Sequence, residues 1–150
     1  MTQRFAKDVT FDGVRSLEEN IPFGFFAGAF AAAIGAASWM GVAVATGLNV
    51  EYAAPLAMGV LVGLAVQLVG HGSSTLFGTF GAIFTVIGCL GGRILTEVQL
   101  LTTPHHDFYN TLINSDFTQL IERVFERTDS IAYVVCAIGV IVGYRLAIRR

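Results

Sequence analysis

Four apolar runs, each about as long as a bilayer is thick, dominate this chain, and each carries a Gly-x-x-x-Gly pair: Gly24/Gly28, Gly59/Gly63, Gly88/Gly92 and Gly139/Gly143. A membrane-spanning helix needs about 20 mostly apolar residues to cross about 30 Å of hydrocarbon. The runs at 23–48, 52–70, 75–97 and 131–148 meet that need, the last with little tilt. In lipid no hydrophobic force draws helices together, so association rests on close van der Waals contact, which glycine at four-residue spacing permits. The sequence therefore predicts an all-α membrane protein whose four spans touch one another closely.

Composition agrees with that reading. At 150 residues the chain fits one domain, and 54% hydrophobic with only 13% charged residues is too apolar for an ordinary soluble core. Residues 1–22 are polar, mixed in charge and without an apolar stretch of signal-peptide type. They read as a cytoplasmic N-terminal segment ahead of a transmembrane domain at 23–150. A net charge of −2, with no basic stripe interleaved by aromatics, argues against nucleic-acid binding. Cys89 and Cys136 lie inside apolar runs without metal-ligand spacing, and read as small buried hydrophobes.

The connections set the orientation. Pro55 falls in the first turn of the second span, where a missing N–H is tolerated, and His71, Gly72, Ser73 and Ser74 form a polar turn before the third. Arg4, Lys7 and Arg15 precede the first span and Arg145, Arg149 and Arg150 end the fourth, whereas the loop after the first span has only Glu51. The positive-inside rule then places both termini in the cytoplasm and 98–130 outside. Tyr52, Tyr133 and Tyr144 fall near the expected interfaces. Within the outer segment, 98–114 reads as a loop broken by Pro104. Residues 116–127 read as an amphipathic helix with Ser115 or Asp116 as N-cap, its stripe being Phe117, Leu120, Ile121, Val124 and Phe125. Such a helix is expected to cover the outer end of the bundle or lie on the membrane.

Small residues extend beyond the four pairs. Span three repeats Gly78, Gly81, Thr85, Gly88 and Gly92; span one repeats Gly24, Gly28, Ala31, Gly35 and Ser38; span two has Gly59, Gly63 and Gly70. Glycine costs about 1 kcal/mol of helix propensity against alanine, so seams of it need a packing gain in return. The closest contacts are expected on spans one and three, whose seams are longest. So many small faces also leave some for neighbours, which points to a homo-oligomer or a subunit of a larger membrane complex.

Few residues suggest chemistry. Arg93 and Glu97, four apart on one helix face, are expected to pair at the outer end of span three, or to supply polarity to a pore. Gln67, deep in span two, is expected to act as hydrogen-bonding glue between helices, and His71 to meet headgroups or water. His105, His106 and Asp107 are neighbours on an expected loop, without the converging ligands a zinc site requires. No catalytic signature, P-loop or metalloprotease motif occurs, so neither enzyme activity nor a cofactor is expected.

The stretch 35–92 resembles a group of small, functionally uncharacterised bacterial four-helix integral membrane proteins. The likeness rests on Trp39 with Val44-Ala45-Thr46-Gly47, on Ala57-Met58-Gly59-Val60-Leu61-Val62-Gly63, and on Phe77-Gly78 through Gly88-Cys89-Leu90-Gly91; the tail Gly143-Tyr144-Arg145-Leu146-Ala147-Ile148-Arg149 is similar too. The resemblance implies a four-span protein of the bacterial inner membrane and carries over no activity. The expected role is a non-enzymatic scaffold or accessory subunit. The rival is a small homo-oligomeric channel or transport component, with Thr85, Gln67 and Arg93 lining a narrow path. A weaker third reading is an enzyme or lipid-binding protein using His105, His106 and Asp107.

Overall fold

The computed structural model describes residues 20–47, 50–71, 74–102, 108–114 and 116–148. Among these the chain is all-helical: α1 (Ile21–Thr46), α2 (Ala54–Gly70), α3 (Thr75–Leu101), α4 (Phe108–Asn114), α5 (Phe117–Glu126) and α6 (Ser130–Ala147). Three of these, α1, α3 and α6, are long and apolar enough to cross a membrane. The other apolar helix, α2, has 17 residues, about one turn less than a full untilted crossing. The expected termini, including Arg4, Lys7, Arg15, Arg149 and Arg150, lie outside the described residues, as do Gly72, Ser73, His105, His106, Asp107 and Ser115.

Local chemistry sets the helix ends. Pro22 and Pro55 sit in the first turns of α1 and α2, where no intrahelical bond is lost. Gly47 closes α1 in the left-handed region (φ 62°), its N–H donating to the Ala43 carbonyl at 3.0 Å. His71 closes α2 in the same way at φ 50°, donating to the Gln67 carbonyl at 3.1 Å. The Asn20 N–H reaches across to the Gly70 carbonyl at 3.0 Å, tying the start of α1 to the end of α2.

The long helices run up, down, up, down. α2 packs against α6, α1 against α3, α1 against α2, and α3 against α6, with α2 and α3 also meeting across the middle; α1 and α6 stand at opposite corners. Val62, Val66, Phe77 and Thr85 are fully buried there. The interior of the bundle is filled with side chains.

The glycines do this packing in two ways. Between α2 and α6 backbone meets backbone: a methyl on Gly59 would strike the Gly139 carbonyl, and one on Gly63 would come within 2.9 Å of the Gly143 carbonyl oxygen. Elsewhere a glycine receives a large side chain. Gly24 takes the Phe77 ring, Gly28 the Phe84 ring, Gly35 and Gly88 the Met58 thioether, Gly78 the Tyr144 ring and Gly92 the Trp39 indole. Gly81 instead faces the Gly143 carbonyl and the Ala147 methyl. The closest backbone approach is thus on α2 and α6, which carry the shorter seams, and not between α1 and α3. A long seam opposite aromatic side chains forms sockets, whereas two short seams facing each other let the backbones touch.

The segment between α3 and α6 departs from the expected loop. α3 continues to Leu101, one turn past the expected end, because Val98 is fully buried and Thr96 and Thr102 return their hydroxyls to the Gly92 and Val98 carbonyls. α4 occupies part of what reads as loop, and Phe108, Tyr109, Leu112 and Ile113 have the helical spacing that explains it. α5 forms as expected: the Asp116 side chain accepts from the Thr118 N–H at 3.0 Å, and Leu120 and Val124 are buried while Phe125 is exposed. Both α4 and α5 pack on α3.

Candidate functional site

Apart from Arg145 in the last turn of α6, the charged residues of the described chain gather at one end of the bundle, where α1 finishes, α2 begins, α3 extends and α5 lies across. Arg93 is the central member, with a side chain 10% exposed. It does not pair with Glu97, as the four-residue spacing suggests. Its guanidinium turns to Glu51, whose carboxylate stands 3.4 Å from Nη2, and donates through Nη1 to the Thr128 hydroxyl. Thr128 in turn donates to the Val124 carbonyl, so the start of the α5–α6 connection is locked onto α3. Glu97 pairs instead with Arg127, at 3.3 Å. Both acids are thus satisfied from other elements, and an i, i+4 pair along one helix gives way to two bridges between elements. Glu51, Thr128 and Arg127 carry no spacing signal that links them to α3, so sequence reasoning misses the pairing.

The pair with Glu51 leaves Arg93 incompletely served. At 3.4 Å the carboxylate neutralises charge, but the alignment is too poor for a hydrogen bond, and the buried Nε and Nη2 have no hydrogen-bond acceptor among the described residues. A cavity of about 110 Å³ borders the cluster, lined among others by Trp39, Glu51, Arg93, Glu97 and Arg127. Trp39 and Val50 are shared with a second, almost wholly apolar cavity of about 260 Å³ between α1 and α2.

A second tie closes the same end. Tyr52 donates to the Asp129 carboxylate at 3.2 Å, joining the start of α2 to the start of α6. That bond, and then the nearby negative charge, raise the phenol above its ordinary 10.0. Tyr133 stacks on Phe125 and donates to its carbonyl at 3.3 Å, holding α5 against α6.

The other nominated residues lie apart from this cluster. Gln67 is half-buried on α2, and its side chain makes no hydrogen bond to another described residue. Thr85 is fully buried, its hydroxyl spent on the Gly81 carbonyl at 2.6 Å and its oxygen packed over Gly143. His71 is exposed at the opposite end of the bundle. Cys89 on α3 and Cys136 on α6 are both free and line one small cavity beside Arg93, a juxtaposition that nothing in their separate positions announces.

Fold and site together define a bundle, all-helical among the described residues, with three helices able to cross a membrane and a charged cluster around one buried arginine at one end. Comparison with protein-family models, curated proteins and solved structures finds no match for the chain.

Proposed function

We propose that this chain is a four-span, non-enzymatic protein of the bacterial inner membrane, a scaffold or accessory subunit that docks onto another membrane component or onto its own copies. The fourth span in this reading is α2, held between α1 and α6 and set at the bilayer's depth by its neighbours. Both termini are cytoplasmic, and α4 and α5 lie on the outer side. The exposed Tyr109, Ile113 and Phe125 suit the interface there.

The observation that carries the docking role is the outward face of α1. Phe23, Phe26 and Phe30, each more than 60% exposed, form a helical stripe beside an apolar hollow of about 730 Å³ bounded by Leu61, Ala65 and Val69 of α2. The glycine seams are spent inside the chain, so this bulky surface is what it offers to a neighbour. A permeation path, by contrast, would have to run between copies, because Val62, Val66, Phe77 and Thr85 fill the interior of one.

Extraction in a mild detergent followed by mass determination tests the proposal. A particle larger than the 16.0 kDa chain, reduced to the single chain by Phe26→Ala/Phe30→Ala, is the expected result. A strictly monomeric wild-type particle sinks it.

A further inference from the structure

The interface between α3 and α6 brings the chain's two cysteines together. Gly81 of α3 meets the Gly143 carbonyl of α6, and the two helices run in opposite directions. Cys89 lies eight residues beyond Gly81 and Cys136 seven before Gly143. Each therefore stands about two turns, roughly 11 Å, along its helix from that contact, on the same side of it. The two thiols share one level of the bundle, and both line a cavity of about 110 Å³.

The walls decide what enters this cavity. Val86, Leu90, Val124, Phe125 and Val140 make much of the lining, and Cys89 is only 5% exposed. A protein oxidant or other bulky disulfide cannot bring its own sulfur up to Cys89 through such a wall, as thiol–disulfide exchange requires. A metal cation is disfavoured on two counts. Arg93 shares the lining, and among the described residues no group of three or more histidine, cysteine or acidic side chains forms a ligand set. A small uncharged oxidant meets neither objection. Arg93 also places a positive charge within electrostatic reach of both sulfurs, and the thiolate is the form that attacks an oxidant.

We propose that Cys89 and Cys136 are a peroxide-reactive dithiol, which hydrogen peroxide closes to a disulfide between α3 and α6. Cys136, the less buried of the two, attacks first. Its thiolate displaces hydroxide from the peroxide: the O–O bond breaks, an S–O bond forms, and the hydroxide takes the proton the thiol gave up, leaving water and a sulfenic acid. Cys89 then attacks the sulfenic sulfur. The S–S bond forms, the S–O bond breaks, and the departing hydroxide leaves as water with the Cys89 proton. Two electrons pass from the sulfurs to the peroxide, so two thiols and one peroxide become one disulfide and two waters. The inference rests on the packing of α3 against α6 and not on what the bundle docks onto, so a monomeric particle leaves it standing.

Purified full-length protein is reduced in mild detergent, freed of reductant, exposed to a small excess of hydrogen peroxide and quenched with catalase. Denaturation with a polyethylene-glycol maleimide then counts free thiols, and intact mass reads the product. Both thiols are expected to disappear together, with a mass loss of two hydrogens per chain, a monomer on a non-reducing gel and full recovery by dithiothreitol. Oxidised glutathione at the same concentration is expected to leave both thiols free. In Cys89→Ser the reaction is expected to stop at the Cys136 sulfenic acid, which dimedone captures. Thiols that survive peroxide overturn the proposal, as do oxygen additions at either cysteine of the wild type without a disulfide, and a disulfide that joins two chains. Equal oxidation by glutathione disulfide overturns it too, and so does a disulfide that forms as fast once the chain is unfolded in sodium dodecyl sulfate. Should Cys89→Ser fail to fold, the wild-type measurements decide.

Discussion

The α-carbon of Gly59 faces the Gly139 carbonyl so closely that a methyl group on Gly59 would overlap the backbone of α6, and one on Gly139 would overlap the Pro55 carbonyl of α2. Backbone cannot swing aside as a flexible side chain can, so the two helices would have to separate. Gly59→Ala and Gly139→Ala are each expected to destabilise by about 1–3 kcal/mol, the usual cost of overpacking. Gly41 on α1 has nothing near its missing methyl. Gly41→Ala is therefore expected to stabilise by about 0.5–1 kcal/mol through helix propensity alone. Reversible unfolding in mixed detergent micelles, followed by circular dichroism, measures all three. If the three substitutions are indistinguishable, the backbone contact between α2 and α6 is not what holds the bundle.

The two bridges at the charged end of the bundle separate by burial. Arg93 is nine-tenths buried and tied to Glu51 and Thr128, whereas the Arg127 side chain is 66% exposed. Arg127→Gln is expected to cost less than about 1 kcal/mol, as exposed ion pairs do. Arg93→Gln removes a charged donor's hydrogen bond to Thr128 and the ion pair with Glu51, and is expected to cost about 1.5–3 kcal/mol. A double-mutant cycle sharpens the contrast: Arg93 and Glu51 are expected to couple, and Arg93 and Glu97 to be additive within about 0.5 kcal/mol. Coupling of the second pair alone would return the network to the arrangement that sequence spacing suggests.

That contrast shows what the sequence makes legible. Hydropathy and span length place the long helices because those signals are summed over many residues, and Asp116 marks α5 because capping is local chemistry. The partner of Arg93 is not local. Glu51 lies 42 positions away by sequence number and comes to α3 only once α1 and α2 have packed. The direction of the seams is hidden for the same reason. Gly59 and Gly139 each look like half of an ordinary pair, and only the placement of α2 against α6 makes them face one another. α4 is different, since the apolar spacing of Phe108, Tyr109, Leu112 and Ile113 is present in the sequence but stands next to the turn-forming residues from Thr102 to Asp107.

α5 depends on its cap and on two anchors. Asp116→Ala removes the acceptor for the Thr118 N–H and is expected to loosen the first turn at a cost of about 1 kcal/mol. Leu120→Ala and Val124→Ala act on the same helix through burial against α3, where these side chains are only 3% and 5% exposed. Hydrogen exchange over 117–126 reports the outcome: faster exchange confined to α5 is expected, with α1, α2, α3 and α6 unchanged. Faster exchange throughout the chain would mean that α5 is part of the cooperative bundle and not a cover laid on it.

The Tyr52–Asp129 bond gives the charged end of the bundle a dependence on pH. A phenol whose pKa is raised in the folded state contributes fully below its unfolded-state value, and that contribution disappears as pH climbs through the folded value. Wild-type protein is therefore expected to lose stability relative to Tyr52→Phe as pH rises past about 10, the ordinary tyrosine value, with no divergence between them from neutral pH up to that point. The other tyrosines ionise in both proteins, so the difference between the two melting curves isolates this one hydroxyl. Parallel curves from about pH 8 to about pH 11.5 would show that α2 and α6 are not joined through it.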